Sequence, residues 1–414
     1  MIGKRLYIYY FLLLIVLCTW FSSVSAPPMP LRIAFLIALI FPAFYKFTNL
    51  FVPVITCFTA LAYYGFSLSY MPTEKSIYLL ITVILVFFNL KRLKKFQRPP
   101  TLLIFFCIYI LIIDLLNSGS LSEIDFSILI ITLSFYLVSP NGHEKDVYIV
   151  AFIIITLILS LYFFTYGQSA AVEVSDTGRR YWRDPNYLGN VCGMGVILAY
   201  NTIVNKLTST QLFKRLCLVT VIIGSLMLVM NASRGAFLSM SLAIIIITLF
   251  SKVKLKTKIN IAIFITIAIF IMYSLGAFDV LNDRIMNEDD DTGNGRTLIW
   301  EAKMMGYLDL ETYKKLFGIG YEGGFHLAIP GGYGFHNDYL AFLVDYGLIG
   351  LALFFCLLFY PIKLAWNNPS KRIIITSLVL FLIICCATLE PFTAGYLTYW
   401  YFYMLIVLFA KWSS

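Results

Sequence analysis

The feature that most constrains this chain is the recurrence, from one end to the other, of apolar runs longer than a soluble protein uses. Residues 149–164 read IVAFIIITLILSLYFF, 261–272 read IAIFITIAIFIM and 373–386 read IIITSLVLFLIICC. In a bilayer no water reaches the backbone, so each amide must find its partner inside its own segment, and such runs become helices. Only 13% of the 414 residues are charged, about half the usual share of a soluble domain, so a water-soluble fold would have too little polar surface. The expectation is an all-α, polytopic membrane protein.

A span needs roughly 20 residues, and on that measure we place about fourteen helices (12 to 14). They lie near 6–24, 31–46, 48–69, 77–91, 101–117, 126–140, 147–167, 186–205, 215–231, 235–251, 259–278, 336–362, 373–389 and 395–411. The first resembles a secretory signal, with Lys4-Arg5 ahead of an apolar core and Val24-Ser25-Ala26 behind it. Its core is long for a signal, so we expect it to be retained. The eight cysteines, Cys18, Cys57, Cys107, Cys192, Cys217, Cys356, Cys385 and Cys386, all fall in apolar runs without a C-x-x-C pair. They read as packing residues rather than a metal or disulfide framework.

Lysine and arginine collect in Lys4-Arg5, Lys91 to Arg98, Lys206 to Arg215, Lys252 to Lys258 and Lys363 to Arg372. Fourteen spans put all of these on one face, which the positive-inside trend makes cytoplasmic, together with both termini. The net charge of +9 is therefore a topology signal and argues for no nucleic-acid partner. Two long connections reach the opposite face, one from Tyr166 to Pro185 and one from Phe278 to Phe335. Within the second, Thr297 to Leu308 and Leu310 to Phe317 carry apolar residues at helical spacing, as segments lying along a membrane surface do. The division that follows is N-terminal helices over 1–165, a core over 166–362 that includes the outer connection 279–335, and C-terminal helices over 363–414.

Four short elements on the outer face hold the residues that can do chemistry. Arg179-Arg180-Tyr181-Trp182-Arg183-Asp184-Pro185 opens one span, and Asn231-Ala232-Ser233-Arg234-Gly235 makes a tight turn between two others. Gly295-Arg296-Thr297-Leu298-Ile299-Trp300 leads towards the glycine-rich stretch Gly318 to Gly334, a flexible lid or a turn-rich loop. Gly334-Phe335-His336-Asn337-Asp338-Tyr339 opens a long span. Arg234 stands at a helix start, where free N–H groups and the dipole hold anions and a guanidinium adds a fork for phosphate oxygens. An arginine snorkelling to lipid headgroups is the plain alternative. Arg296 by itself reads equally as a solvated helix residue, and His336 as an interfacial structural one. A neutral imidazole at a helix N-terminus is nevertheless suited to take a proton near neutral pH. Glu288-Asp289-Asp290-Asp291 is a candidate cation chelate, or simply a solvated acidic loop. Asp114 and Asp345 lie within apolar runs, where an ionisable residue marks either function or helix packing.

Taken together, Ser233-Arg234-Gly235, Arg296 with Trp300 four residues on, Gly318-Ile319-Gly320 and the run HNDYLAFLVDYGLIG from His336 resemble the O-antigen ligase and polymerase superfamily. These polytopic enzymes finish bacterial surface polysaccharides. The resemblance runs from about Arg179 to Pro361, and the helices before it share only general hydropathy. It implies a metal-independent inverting membrane glycosyltransferase with no cofactor, whose donor is an oligosaccharide on undecaprenyl diphosphate. By position, Arg234 and Arg296 match the arginines that hold the donor diphosphate, and His336 matches the general base. Arg183, Arg180, Asn337 and Asp338 are expected to bind substrate.

Two activities lie within the family. A polymerase joins repeat units on two lipid diphosphates to build O-antigen, capsule or exopolysaccharide, and the extra cations at Arg180 and Arg183 favour it. A ligase delivers the glycan to the lipid A core. A lipid-linked oligosaccharide flippase is the reading from a different class, but the chain shows no internal repeat and its charges gather at one face. Expected partners are membrane lipid, a chain-length regulator and a repeat-unit flippase, with the chain in the bacterial cytoplasmic (inner) membrane and its site on the periplasmic side.

Overall fold

A computed structural model describes residues 72–88, 97–138, 145–166, 173–174, 180–181, 185–205, 211–231, 233–251, 253–274, 296–321, 323–329 and 334–412. They are almost entirely helical. In chain order the helices are α1 (Pro72–Phe88), α2 (Thr101–Asn117), α3 (Glu123–Ser134), α4 (Lys145–Tyr166), α5 (Pro185–Val204), α6 (Gln211–Met230), α7 (Arg234–Phe250) and α8 (Leu255–Ser274). After these come α9 (Arg296–Leu308), α10 (Thr312–Phe317), α11 (Asp338–Leu364), α12 (Pro369–Thr388) and α13 (Leu397–Lys411). A two-stranded antiparallel ribbon, β1 (Glu173–Val174) with β2 (Arg180–Tyr181), lies between α4 and α5.

From 77–91 onward every expected span coincides with a helix, and the two helical segments expected at 297–308 and 310–317 appear as α9 and α10. Four helices (Asn186–Val204, Gln211–Met230, Asp338–Leu364 and Pro369–Thr388) are long and apolar enough to cross a membrane, and several shorter apolar helices accompany them. The chain is thus an all-α membrane protein, while a count of fourteen spans goes beyond what these helices establish. The segments expected over 6–24, 31–46 and 48–69 lie outside the described residues, as do Arg183 and Glu288 to Asp291.

Local chemistry sets the helix starts. Ser122 and Asp125 form a reciprocal capping box at α3, with Ser122 N donating to Asp125 Oδ2 at 2.8 Å and Asp125 N to Ser122 Oγ at 3.3 Å. Asn368 caps α12 by accepting from Lys371 N at 3.2 Å, with Pro369 in the first turn, where its missing N–H costs nothing. On the outside of the bundle, Phe105, Ile108, Ile112 and Leu116 of α2 and Leu238, Ile245 and Leu249 of α7 are exposed. Apolar stripes at three-to-four spacing on a helix's outer face are what lipid solvates. By contrast, α13 buries Trp400, Tyr399, Tyr401, Phe402 and Tyr403 and is central, as a helix apolar on all sides must be.

The most informative irregularity is in α11, which breaks at Gly347 (φ 69°, ψ −176°). A break frees carbonyls that lipid cannot satisfy, and three groups meet them here. Ile319 N donates to Val344 O at 3.3 Å, Gly320 N to Asp345 O at 2.8 Å, and the Tyr109 hydroxyl to Tyr346 O at 2.7 Å. The glycine-rich stretch is therefore laid against the broken helix rather than free of it. Its far side is fixed by Asp114 of α2, which accepts from Tyr321 N (2.8 Å), Ser122 Oγ (2.6 Å) and the Tyr346 hydroxyl (3.2 Å). Asp345 accepts from Gly324 N at 2.9 Å. Of the two readings left open for Asp114 and Asp345, the packing role is the one this geometry displays.

Removing the Asp114 carboxylate leaves two or more buried donors without an acceptor, each worth about 1–3 kcal/mol. Asp114→Ala is therefore expected to lower stability by about 2–5 kcal/mol, with Asp114→Asn, which keeps one acceptor oxygen, milder. Thermal unfolding of the detergent-solubilised variants measures this, and an unchanged Asp114→Ala midpoint would show the network to be dispensable.

Candidate functional site

Arg296, His336 and Asp338, three of the residues singled out in the sequence, meet where α12 ends. Thr388, Leu389 and Glu390 are consecutive, and each receives one piece of the site. Arg296, at the start of α9, donates from Nη1 to Thr388 O at 3.0 Å. Asp338 N, at the start of α11, donates to Leu389 O at 2.9 Å. The main-chain N–H of His336 donates to the Glu390 carboxylate. The start of α7 packs against the same place, since a β-carbon on Gly235 would lie only 2.9 Å from Thr388 Oγ1. Arg234, the first residue of α7, thus has its backbone placed beside the anchor of Arg296.

The start of α5 joins this cluster. Ser233 Oγ donates to Asn186 Oδ1 at 3.0 Å, and Tyr187 packs at a tilt on Tyr396 with ring centroids 4.5 Å apart. The chain therefore enters the site at Asn186, immediately after the Arg179–Pro185 segment. Of that segment's cations, Arg180 stands in β2 and Arg183 lies outside the described residues.

His336 occupies the left-handed region at φ 49°, unusual for a residue with a β-carbon. The main chain on each side is fixed. Phe335 O accepts from Trp300 Nε1 at 2.6 Å, and Asn337 caps α11 by accepting from Tyr339 N at 2.9 Å and Leu340 N at 3.3 Å. Strain of this sort costs about 1–3 kcal/mol and persists where neighbours over-determine it.

Asn337 and Asp338, expected to bind substrate, have structural occupations instead. The Asn337 side-chain oxygen is the α11 cap. The Asp338 carboxylate is fully buried and accepts from Phe392 N, Thr393 N at 2.9 Å and Thr393 Oγ1 at 2.8 Å. It shapes the 388–396 turn, which Ser127 of α3 also holds by donating to Gly395 O at 2.7 Å. A buried carboxylate is stable only with donors on its oxygens, and here it has them.

Glu390 and Lys303 are the residues that sequence reasoning missed. Burial pushes the Glu390 carboxyl up to about 7; Asp338 adds to the push, while the His336 N–H, Lys303 and Arg296 oppose it. Lys303 is the buried residue of α9 and donates to Gly324 O at 2.5 Å and Phe325 O at 2.7 Å, lying 5.4 Å from the Phe335 ring centre. Burial lowers its proton affinity, which Asp345 and Glu390 partly restore. A signal for Glu390 existed: it is the lone charge between the apolar runs 373–389 and 395–411. The core drawn at 166–362 leaves it out, because the turn that completes the site comes from the C-terminal helices. Among the described residues no group of three His, Cys, Asp or Glu side chains is placed to hold a metal ion.

Residues 219–355 match the family model described as O-antigen ligase. The match supports, over this segment, the resemblance to the O-antigen ligase and polymerase superfamily. Arg234, Arg296, His336, Asn337, Asp338 and Asp345 fall inside the O-antigen ligase segment, whereas Arg180, Arg183 and the 388–396 turn lie beyond it. The match supports a glycosyltransferase-like enzyme in general terms and not a flippase, and together with the apolar helices it supports a membrane protein. A comparison with curated proteins finds no match.

Proposed function

We propose that the chain is a polysaccharide repeat-unit polymerase, moving a glycan from undecaprenyl diphosphate to a sugar hydroxyl of a second lipid-linked repeat. The observation that supports this most is the meeting of the α7 start and Arg296 on Thr388 with the His336 main chain on Glu390, two residues on. In the proposed step His336 takes the proton of the acceptor hydroxyl. The oxygen attacks the anomeric carbon from the face opposite the donor bond, inverting it. The carbon–oxygen bond to the diphosphate breaks, and its electron pair leaves on the lipid diphosphate. Arg234 and Arg296 stabilise that growing charge, which fixed cations do best in a site already organised for it. They supply the positive charge for which other transferases use a metal ion. The donor bond supplies the driving force, which suits the outer face of a cytoplasmic membrane with both termini inside.

Polymerase is preferred because Arg180 and Arg183 add cations at the mouth of α5, and a polymerase must hold two lipid diphosphates. The ligase reading, with lipid A core as acceptor, has the family description in its favour. Purified protein converting lipid-linked repeats into a ladder of longer chains would support the polymerase. Arg183→Ala is expected to reduce polymerisation at least tenfold, the effect of losing about 1.4 kcal/mol of phosphate binding, and to leave ligation to a core acceptor nearly intact. Equal loss in both assays would remove the argument for polymerase, and no ladder from the unaltered protein would remove polymerase itself.

A further inference from the structure

Glu390 has no role in the transfer just described, yet it stands among the groups that would perform it. Its carboxylate accepts the His336 main-chain N–H, and a β-carbon on Gly334 would lie 3.1 Å from its Oε1. Arg296 is anchored two residues away on Thr388 O, and Lys303 reaches the same place from α9. The charged and titratable groups acting on Glu390 are therefore Asp338 from the α11 start and Arg296 and Lys303 from α9, while His336 gives it the main-chain N–H. Asp338 has its oxygens engaged by the 391–393 turn. Glu390 is the carboxylate that shares the field of Arg296 with any arriving anion.

We propose that Glu390 is the counter-charge of the anion site and takes up a proton when a diphosphate binds there. This rests on the reading of Arg296 as a diphosphate ligand. An arriving diphosphate and Glu390 both draw on Arg296 in a partly buried site, and the added negative charge raises the proton affinity of the carboxylate. A lipid diphosphate diester stays ionised at neutral pH, which leaves the carboxylate to accept the proton. Glu390 is suited to this because it already titrates near neutrality before any substrate charge is added.

The sign follows directly. Below about pH 7 the carboxyl is largely protonated and an anion binds without proton uptake. Above it each binding event must bring a proton from solution, so affinity falls by up to about tenfold per pH unit. Protonation also weakens Glu390 as an acceptor for His336 N–H, which couples occupancy of the anion site to the grip on the base.

The test is calorimetric titration of the full-length protein in detergent with a short dialkyl diphosphate diester, whose charge is constant between about pH 6 and 8.5. Repeating it in buffers of different ionisation enthalpy gives the protons taken up per diester bound. The expected result is close to one proton at about pH 8 for the unaltered protein and for His336→Ala. For Glu390→Gln we expect almost none, with affinity that no longer falls above pH 7. Unchanged uptake in Glu390→Gln, or uptake lost in His336→Ala, overturns the proposal. Should Glu390→Gln not fold, retention of uptake in His336→Ala supports it and loss refutes it. Failure of the diester to bind the unaltered protein would instead refute the diphosphate reading on which the proposal rests.

Discussion

Alanine at His336 is expected to slow glycan transfer by about 10²–10⁴, the usual contribution of a positioned base. That corresponds to about 2.7–5.5 kcal/mol of transition-state stabilisation. The loss should fall on kcat, because the proton moves only in the reaction step, and KM for the lipid-linked donor should change little. Folding should survive, since the main-chain contacts that place residue 336, its N–H on Glu390 and the Trp300 bond to Phe335 O, do not involve the imidazole. Arg234→Ala is expected to give a loss of similar size but with a raised KM as well, because a guanidinium that binds diphosphate acts in the ground state too. Single-turnover assays on purified variants with normal elution profiles make the distinction. If His336→Ala retains near-normal rates, the imidazole is not the base and the proton goes elsewhere.

The second large effect is on folding, at Gly347. Its backbone conformation (φ 69°, ψ −176°) is one that side chains exclude, and a β-carbon there would lie 2.3 Å from Leu316 O. The segment facing it is as crowded, with a β-carbon on Gly318 falling 2.1 Å from Asp345 O. Gly347→Ala therefore has to straighten α11 or push residues 316–320 away. Either course breaks the bonds from Ile319 N and Gly320 N to the freed carbonyls. Backbone strain of about 1–3 kcal/mol and about 1 kcal/mol for each lost hydrogen bond sum to roughly 3–5 kcal/mol. A margin of about 5–15 kcal/mol leaves little after that. Gly119 is the control: it has φ 69° but nothing within 4 Å of a β-carbon, so Gly119→Ala should cost about 1 kcal/mol. Thermal unfolding in detergent should separate the two by several degrees, and equal midpoints would show that collision at Gly347 is relieved cheaply.

These two predictions rest on residues of opposite legibility. His336 could be picked from the sequence because an imidazole at the head of a long apolar run is conspicuous, and Arg234 and Arg296 because the spans expected from the sequence put them away from the basic clusters. Gly347 could not. In the sequence it is one glycine inside a continuous apolar stretch, which predicts a single span over 336–362, and only the pairing of residues 319 and 320 with carbonyls 344 and 345 reveals the break. Asn337 and Asp338 were legible as polar residues near a site but not in their roles. A cap and a buried brace look like ligands until their partners, Tyr339, Phe392 and Thr393, are known.

Fold class and helix positions are local properties, and the sequence by itself determined them. An apolar run in lipid has no way to satisfy its backbone except as a helix, so α2 occupies 101–117, the range read from the residues alone. The caps that start α3, α11 and α12 at Ser122, Asn337 and Asn368 are equally local. What only the tertiary structure decided is which helix ends meet. Residues 234, 296, 336 and 390 are brought together by the packing of α7, α9, α11 and α12, and no periodicity along the chain encodes that. The placement of Glu390 beside His336, and with it the charge balance of the site, exists only once a turn from the C-terminal helices closes over the core.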